Sequence, residues 1–502
     1  PLTVFSRRQV GGLIAIKPGD IYQRNLIRES VQALEDAYGQ MGYVDARVRT
    51  EPSRSSDAPV IDLIFVVEEG RRWRTGMVRI GGNFLTKDKV IRRETNLRSG
   101  RPIDTTEIRR TERRLRQRRL FGEPIRITVQ DPDPPDSTYR DVLIEVRERN
   151  TGSVNFGLAA GTDSGVFGEI SLRQDNFDVA DTPETFEEFI RGQAFRGAGQ
   201  RFNMTFRPGN EIFQYSISLT EPRIFETDFS LTAGGAFRRR IFDDYDEERI
   251  GGTLSLGRRF GDVWRGSVTA RFERVQLQDI ESDAPVEIFE DAGPDQLASL
   301  GLNLTRTTID SFRRPSRGTR LEFGIERVGL LGGDFDFNKA DAEYTIYFAL
   351  DEDFLGRVTT LRLTTRAAYA FGSGRIPTYE QYYLGGRSFR GFGFREVSPK
   401  GIRADNGELS DESVGGEWLF YAGLQFERPI FEETVNYVLF VDSGTVTDDV
   451  GFDQYRVSIG AGLRLYVRQL GPVPIALDIA TPLLREDTDD EQVFSFSAEL
   501  PF

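Results

Sequence analysis

The sequence predicts two small α+β modules followed by a sixteen-stranded antiparallel transmembrane β-barrel. Three observations support this fold class. Residues 1–150 mix helical and strand periodicity, whereas the remainder alternates between apolar and polar residues almost throughout. Glycine and phenylalanine are abundant, at 51 and 38 residues. The mean hydropathy is nevertheless only −0.41, as expected when barrel strands of about 10 residues turn only alternate side chains to lipid.

The amino-terminal part predicts two modules, at residues 1–70 and 71–149. In the first, apolar residues at helical spacing between Ile21 and Gln40 precede two alternating strands. A helix–strand–strand unit recurs within about 75 residues, which indicates tandem modules. We expect the first copy to lack its opening strand. The predicted strands are 44–48, 61–67, 77–80, 125–129 and 142–146, and the second module adds helices at 86–97 and 105–120.

Residues 150–502 predict the barrel. An even number of strands suits a closed antiparallel barrel, which must close because lipid cannot hydrogen-bond to an open edge. In the last strand Phe494, Phe496 and Phe502 alternate with Ser495 and Ser497. The sixteen predicted strands are 152–160, 165–174, 199–207, 211–221, 227–239, 248–260, 262–275, 296–306, 317–328, 337–350, 356–371, 416–428, 435–443, 455–467, 471–481 and 492–502.

Composition excludes several kinds of chemistry. The chain has no cysteine and no histidine, so it lacks thiolate ligands, the commonest general base and the commonest metal ligand. We therefore expect neither enzymatic activity nor a cofactor or metal. Between Arg71 and Leu120 there are seventeen basic and five acidic residues. Seven of the basic residues fall on the predicted helix 105–120, without interleaved aromatic residues, so we expect no nucleic-acid binding.

The chain begins at Pro1 with neither an initiator methionine nor an export signal. We therefore expect it to be part of a longer protein.

The most informative motif is the run Gly-Gly-Arg-Ser-Phe-Arg-Gly-Phe at 385–392, within the long polar loop 372–415. A tripeptide such as Arg-Gly-Phe recurs by chance, so the order of several motifs matters more. The Gly81-Gly82-Asn83 turn precedes this run, and others fall around it at 174–177, 220–222, 440–444 and 471–472. This order resembles the BamA/TamA outer-membrane assembly family, whose soluble modules are called POTRA domains.

The resemblance implies that loop 372–415 folds into the barrel lumen, where Arg390 meets Asp442 on the inner wall. A buried guanidinium without such a partner would be costly. Related sequences carry a second wall acid where this chain has Gln425. Either the pair is weaker here, or Glu427 supplies the charge. The loop motif consists of Gly385, Gly386, Arg390, Gly391 and Phe392.

The first and last predicted strands form a candidate lateral seam. The first offers few large side chains, and Pro501 in the last cannot donate a ladder hydrogen bond. Weak pairing would let the wall open and let the first strand template an incoming strand. A closed barrel with ordinary bends fits the same residues. The seam residues are Asn155, Phe156 and Gly157 in the first strand, and Phe494, Phe496, Pro501 and Phe502 in the last.

Residues 181–192 predict a short amphipathic helix in a turn on the periplasmic side of the barrel. Such turns are typically short. The apolar side chains Phe186, Phe189 and Ile190 share one side of this helix. We expect the helix to lie at the inner leaflet or to bind a partner, with packing on the adjoining module as the alternative.

By this resemblance the protein is expected to insert and fold β-barrel proteins into the bacterial outer membrane, with its amino-terminal modules in the periplasm. The expected partners are unfolded outer-membrane proteins, outer-membrane lipids and lipopolysaccharide, and periplasmic accessory lipoproteins. Two functions of the same superfamily remain as alternatives, a two-partner secretion transporter and a TamA-type assembly protein. The tandem modules argue against a passive porin.

Overall fold

The structure, a computed structural model, describes residues 2–56, 58–432, 434–467 and 474–501. It divides into two compact units. The first comprises Pro1–Thr151 with Asp175–Gln200, and the second comprises Gly152–Gln174 with Arg201–Phe502. No helix in the described part of the chain is long and apolar enough to cross a bilayer.

The first module begins with a helix that the sequence analysis did not predict. The helices are α1 (Arg7–Leu13) and α2 (Arg24–Gln40), followed by the antiparallel strands β1 (Arg47–Arg54) and β2 (Ile61–Glu68). Ser6 and Gln9 form a capping box at the start of α1, since each side chain bonds to the other's backbone N–H. Leu34 and Tyr38 of α2 are fully buried, so they anchor the core of this module.

The second module has the order β-α-α-β-β. Its elements are β3 (Arg74–Gly81), α3 (Asp88–Arg92), α4 (Thr105–Arg118), β4 (Phe121–Val129) and β5 (Tyr139–Glu148). The sheet order is β3-β5-β4, with β3 parallel to β5. The core lies between the sheet and the helices, where Ile91, Leu115 and Ile144 are almost completely buried.

A closed barrel fills the second unit, and each strand bonds to its neighbours in ring order. On the strand Asp246–Phe260, Ile250, Leu254 and Leu256 are exposed, whereas Arg249, which has the opposite parity, is only 18% exposed. This period of two separates an apolar outer face from a polar lumen. The barrel strands are β6 (Gly152–Gly161), β7 (Gly165–Phe177), β8 (Gln200–Arg207), β9 (Ile212–Glu221), β10 (Phe229–Ile241), β11 (Asp246–Phe260), β12 (Trp264–Gln278), β13 (Gly293–Thr307), β14 (Gly318–Glu352), β15 (Val358–Phe371), β19 (Trp418–Phe431), β20 (Val435–Thr447), β21 (Arg456–Leu465), β22 (Ile475–Leu484) and β24 (Phe494–Pro501).

The described barrel has 15 strands rather than the predicted sixteen. The predicted strands 317–328 and 337–350 form one continuous element, β14, whose two halves pair with β13 and β15. Three glycines with positive φ, at 329, 332 and 333, reverse the chain inside this element. Hydrogen bonding therefore continues where the sequence suggested a break. Because β14 runs in both directions, β24 and β6 can still close the ring antiparallel.

The remaining elements lie in loops and are not strands of the barrel wall. Loop 372–415 forms an apolar core with barrel residues, in which Phe389 and Phe392 are fully buried. The loop elements are α5 (Phe186–Ile190) in the first unit, and α6 (Val286–Glu290), β16 (Gly391–Phe392), β17 (Lys400–Ile402), β18 (Leu409–Ser413) and β23 (Glu491–Gln492) in the second.

Candidate functional site in the lumen loop and at the barrel seam

The loop motif adopts a backbone that depends on glycine. Three glycines of the motif have positive φ, namely 130° at Gly385, 55° at Gly386 and 96° at Gly391. Residues with a Cβ rarely adopt such angles. At Gly386 there is also no space, because an added Cβ would lie 2.4 Å from Oδ2 of Asp163. Glycine at this position therefore allows the loop to approach the turn between β6 and β7.

Arg390 reaches Asp442 on β20. Its Nε donates to Oδ2 at 2.8 Å and its Nη2 donates to Oδ1 at 2.9 Å. Asp442 is 1% exposed and also accepts from the hydroxyl of Tyr421 at 2.9 Å. The guanidinium carbon lies 3.4 Å from the ring centre of Phe440, a cation–π geometry. The pair is therefore both charge-compensated and shielded from water.

Gln425 occupies the position at which the family resemblance implies a second wall acid. Its Oε1 accepts from Nη1 of Arg390 at 3.1 Å and from Nη2 of Arg362 at 2.9 Å. Glu427 instead accepts from Asn436 at 2.6 Å and from the hydroxyl of Tyr466 at 3.0 Å. Glu427 is thus not placed against Arg390, and one neutral oxygen serves two guanidinium groups.

Glu380 is a loop residue that the sequence analysis missed. Arg249 and Arg271 donate to its Oε1 at 3.2 and 3.0 Å, and Lys339 donates to its Oε2 at 3.1 Å. Burial alone would raise the pKa of this carboxyl, but the three cations hold it well below its usual range. The sequence could have drawn attention to Glu380, because it is the one acidic residue between positions 354 and 395.

The seam between β24 and β6 is short in the described part of the chain. There its register covers five pairs, from Ser497 with Gly161 to Pro501 with Gly157, whereas β11 and β12 share fifteen. Phe494 is 52% exposed and Ser495 and Ser497 are buried, which puts the phenylalanine on the outer face. Asn155 and Phe156 pair with Ser171 and Ile170 of β7. Phe502, Gly471 and Pro472 lie outside the described residues, as do the side chains from position 499 onward.

The predicted amphipathic helix forms as α5, capped by Thr185. The segments on either side of it pack on the second module, where Asn176 donates to Thr86 Oγ1 at 2.9 Å and Lys87 N donates to Gly197 O at 2.9 Å. The apolar residues of α5 do not take part in this packing. Phe186, Phe189 and Ile190 are 77%, 55% and 66% exposed. The flanks of the turn are thus docked on the second module, whereas the apolar face of α5 is exposed.

Sequence profiles of known families match both parts of the chain. The Omp85 superfamily domain matches residues 194–502. The chain belongs to the Omp85 superfamily. The POTRA profile, described as a surface antigen variable number repeat, matches residues 3–70 and 74–149. The superfamily, the POTRA repeats and the closed barrel place this protein in the outer membrane with its amino-terminal modules in the periplasm.

Curated relatives carry the name outer membrane protein assembly factor BamA. The one from Nitratidesulfovibrio vulgaris is 27% identical over 461 residues, covering 89% of this chain and 54% of the relative. The one from Neisseria meningitidis serogroup B is 24% identical and covers 98% and 64%. The chain thus spans about half to two thirds of the length of these relatives. The resemblance to BamA-type factors seen in the sequence is confirmed.

Solved structures share the fold. BamA from Haemophilus ducreyi lacking POTRA domains 1–3 superposes with a TM-score of 0.80 at 20% identity, covering 98% of this chain and 97% of that chain. CdiB from Acinetobacter baumannii gives 0.55 at 15% identity, covering 100% and 88%. The Omp85 barrel with preceding POTRA modules is therefore the architecture of this chain.

Proposed function

We propose that this protein inserts and folds β-barrel proteins into the bacterial outer membrane. The observation that carries the proposal is the five-residue seam between β24 and β6 in a barrel of this superfamily. The curated relatives, named outer membrane protein assembly factors, support the same activity. The proposal involves no enzymatic step and no cofactor.

The seam offers a physical route for assembly. Each backbone hydrogen bond contributes about 0.5–1.5 kcal/mol net, so a five-residue seam is far easier to open than a fifteen-residue strand pair. The opened edge of β6 presents unpaired N–H and C=O groups, and these can template an incoming strand by β-augmentation. A client strand would exchange hydrogen bonds with the seam instead of entering lipid unpaired.

The lumen loop has a positioning role in this proposal. Arg390 and Asp442 form a closed pair in which both charges are compensated, so neither is available as an acid or a base. Their interaction fixes the loop tip near strands β19 to β22. The POTRA modules receive unfolded clients, and the exposed face of α5 contacts the periplasmic leaflet. Outer-membrane lipids, lipopolysaccharide and periplasmic accessory lipoproteins complete the proposed partners.

A disulfide across the seam tests the proposal. Ala160 and Ala498 are register partners, and the chain has no native cysteine. The Ala160→Cys/Ala498→Cys variant of the full-length protein, reconstituted in vesicles, should stop inserting an unfolded barrel client and recover after reduction. The control pair Ser255→Cys/Thr269→Cys joins β11 to β12, where the two hydroxyls lie 2.9 Å apart. Undiminished insertion with the seam locked would exclude seam templating.

Depletion in cells separates the proposal from the secretion alternative. Loss of the full-length protein should reduce all outer-membrane barrels together. Loss of one exported polypeptide, with other barrels unchanged, would instead indicate two-partner secretion.

A further inference from the structure

The lumen loop contacts the first barrel strand at the extracellular end of the seam. The backbone N–H of Arg387 donates to Oδ2 of Asp163 at 2.6 Å. Asp163 lies in the turn that follows β6, one residue after Thr162, whose N–H donates to Phe496 O at 3.1 Å across the seam. Nη2 of Arg240 also donates to the backbone oxygen of Asp163 at 2.8 Å. This turn is therefore fixed to the loop through the Asp163 carboxylate.

A few residues later, the same loop contacts the chain that leads into the last strand. β16 (Gly391–Phe392) pairs antiparallel with β23 (Glu491–Gln492). Gly393 N donates to Asp490 O at 2.9 Å, and Asp490 N donates to Glu396 Oε2 at 3.1 Å. β23 immediately precedes β24, so this second set of contacts holds the other side of the seam.

We propose that Asp163 is a positioning residue that fastens the loop to β6, so that segment 386–393 spans the extracellular end of the seam and holds β6 and β24 together. Separating the two strands there requires breaking either the Asp163 bond or the short ladder to β23. The loop is held to the turn after β6 by one hydrogen bond to a carboxylate, and to β23 by several backbone hydrogen bonds. The bond to Asp163 therefore breaks first. The contacts themselves lie within the barrel and do not depend on the proposed function. The inference rests on the proposed function only in that the opened seam would take up client strands.

The requirement for glycine at position 386 follows from the same contact. An added Cβ would lie 2.4 Å from Asp163 Oδ2 and 2.5 Å from its Oδ1. Any larger residue there would push the loop away from the turn after β6. Gly386 thus serves the contact with Asp163 in addition to the turn itself.

A distance measurement across the seam tests the role of Asp163. Ser164→Cys and Thr488→Cys carry spin labels in the full-length protein in lipid nanodiscs, on the two turns that flank the seam. Asp163→Ala should add a population in which the labels are farther apart by about 5 Å or more, one strand spacing. Asp163→Asn keeps an oxygen that can accept the Arg387 N–H, so it should retain the distances of the parent. Gly386→Ala should shift them as Asp163→Ala does.

Asp334→Ala is the matched control. Its carboxylate also accepts a backbone N–H, that of Gln296 at 2.7 Å, but in the hairpin of β14, away from the seam. Unchanged distances in both Asp163→Ala and Gly386→Ala would overturn the inference, as would an equal shift in Asp334→Ala. If no variant or parent inserts clients into vesicles, the proposed function fails while the distances still decide the role of Asp163.

Discussion

Arg390 and Asp442 meet through two parallel hydrogen bonds of 2.8 and 2.9 Å, although 52 positions separate them in the sequence. The planar guanidinium and the carboxylate fix each other's orientation, so the pair defines both the distance and the direction of the loop tip. The ring of Phe440 covers one guanidinium face. This arrangement makes the geometry of the side chain as important as its charge.

Arg390→Lys should therefore destabilise the protein although it keeps the charge, because an ammonium makes neither the paired hydrogen bonds nor the same stacking. Asp442→Asn should cost more, about 3–5 kcal/mol, since it leaves a buried cation without its charge partner. Denaturant unfolding in detergent measures both. Arg317→Lys is the control, because its ion pair with Glu352 is exposed and should contribute less than about 1 kcal/mol. Equal effects at positions 390 and 317 would contradict the prediction.

Gln425→Glu should stabilise the loop, since its Oε1 accepts from two guanidinium groups and a charged acceptor strengthens both bonds. The nearby Glu427, whose Oε2 lies 3.4 Å from Gln425 Nε2, would repel the new carboxylate. The gain should thus be larger in a Glu427→Gln background. Thermal unfolding of the four combinations measures the coupling, and a stability loss in that background would exclude the electrostatic explanation.

The family resemblance predicted that Arg390 meets Asp442 because both lie in motifs that keep their order along the chain, and Arg390 Nε lies 2.8 Å from Asp442 Oδ2 in the structure. The same reasoning missed Asp163 and Glu380. Asp163 contacts a residue 224 positions away, and Glu380 contacts cations 109 and 131 positions away. Such contacts depend on barrel register and closure, which no local pattern encodes.

Local patterns also failed in two informative places. The capping box at Ser6 and Gln9 is a sequence signal for a helix start, but the short helix that follows contains Gly11 and Gly12 and has weak helical spacing. The patterns at 317–328 and 337–350 predicted two strands, but these residues form the single element β14. Glycines at 329, 332 and 333 turn the chain within it while hydrogen bonding to β13 and β15 continues, so the predicted strand count was too high by one.

Glu380→Gln should release the first part of the loop, because Arg249, Arg271 and Lys339 lose their shared carboxylate. Limited proteolysis after Arg375 should accelerate, and Glu326→Gln is the control. Glu326 contacts the same Arg271 at 3.0 Å but lies on the barrel wall.

The pKa of Glu380 is lowered, so its stabilising charge is present above its unfolded pKa and is lost only as pH falls through the folded value. Cleavage rates of the parent should thus not change between about pH 5 and 8. Equal acceleration in both variants would contradict the anchoring role.

Glu69 should make the first module sensitive to acid. Burial raises the pKa of Glu69, but hydrogen bonds from the Thr3 hydroxyl and N–H, the Val4 N–H and the Tyr38 hydroxyl together outweigh it and lower the pKa to about 2. A depressed pKa contributes stability above the unfolded value of 4.5 that is lost as pH falls toward about 2. Hydrogen exchange at Thr3 and Val4 should accelerate over that window. Glu69→Gln should abolish the pH dependence, and an unchanged profile in this variant would assign it to other groups.

The exposed face of α5 should lie in the periplasmic leaflet. Phe186 and Ile190 are 77% and 66% exposed, although the flanking segments are docked on the second module. Fully burying a large apolar side chain is favourable by about 1.5–3 kcal/mol, so transfer of these side chains from water to lipid would stabilise the docked position. A nitroxide at Ile190→Cys should be more accessible to oxygen, which concentrates in lipid, than to a water-soluble nickel complex. The control is Tyr22→Cys in the first module, where Tyr22 is 42% exposed and the order of accessibility should reverse. Greater accessibility of the Ile190→Cys nitroxide to the nickel complex than to oxygen, with unchanged assembly activity in the Phe186→Ser/Phe189→Ser variant, would contradict a role for α5 at the membrane.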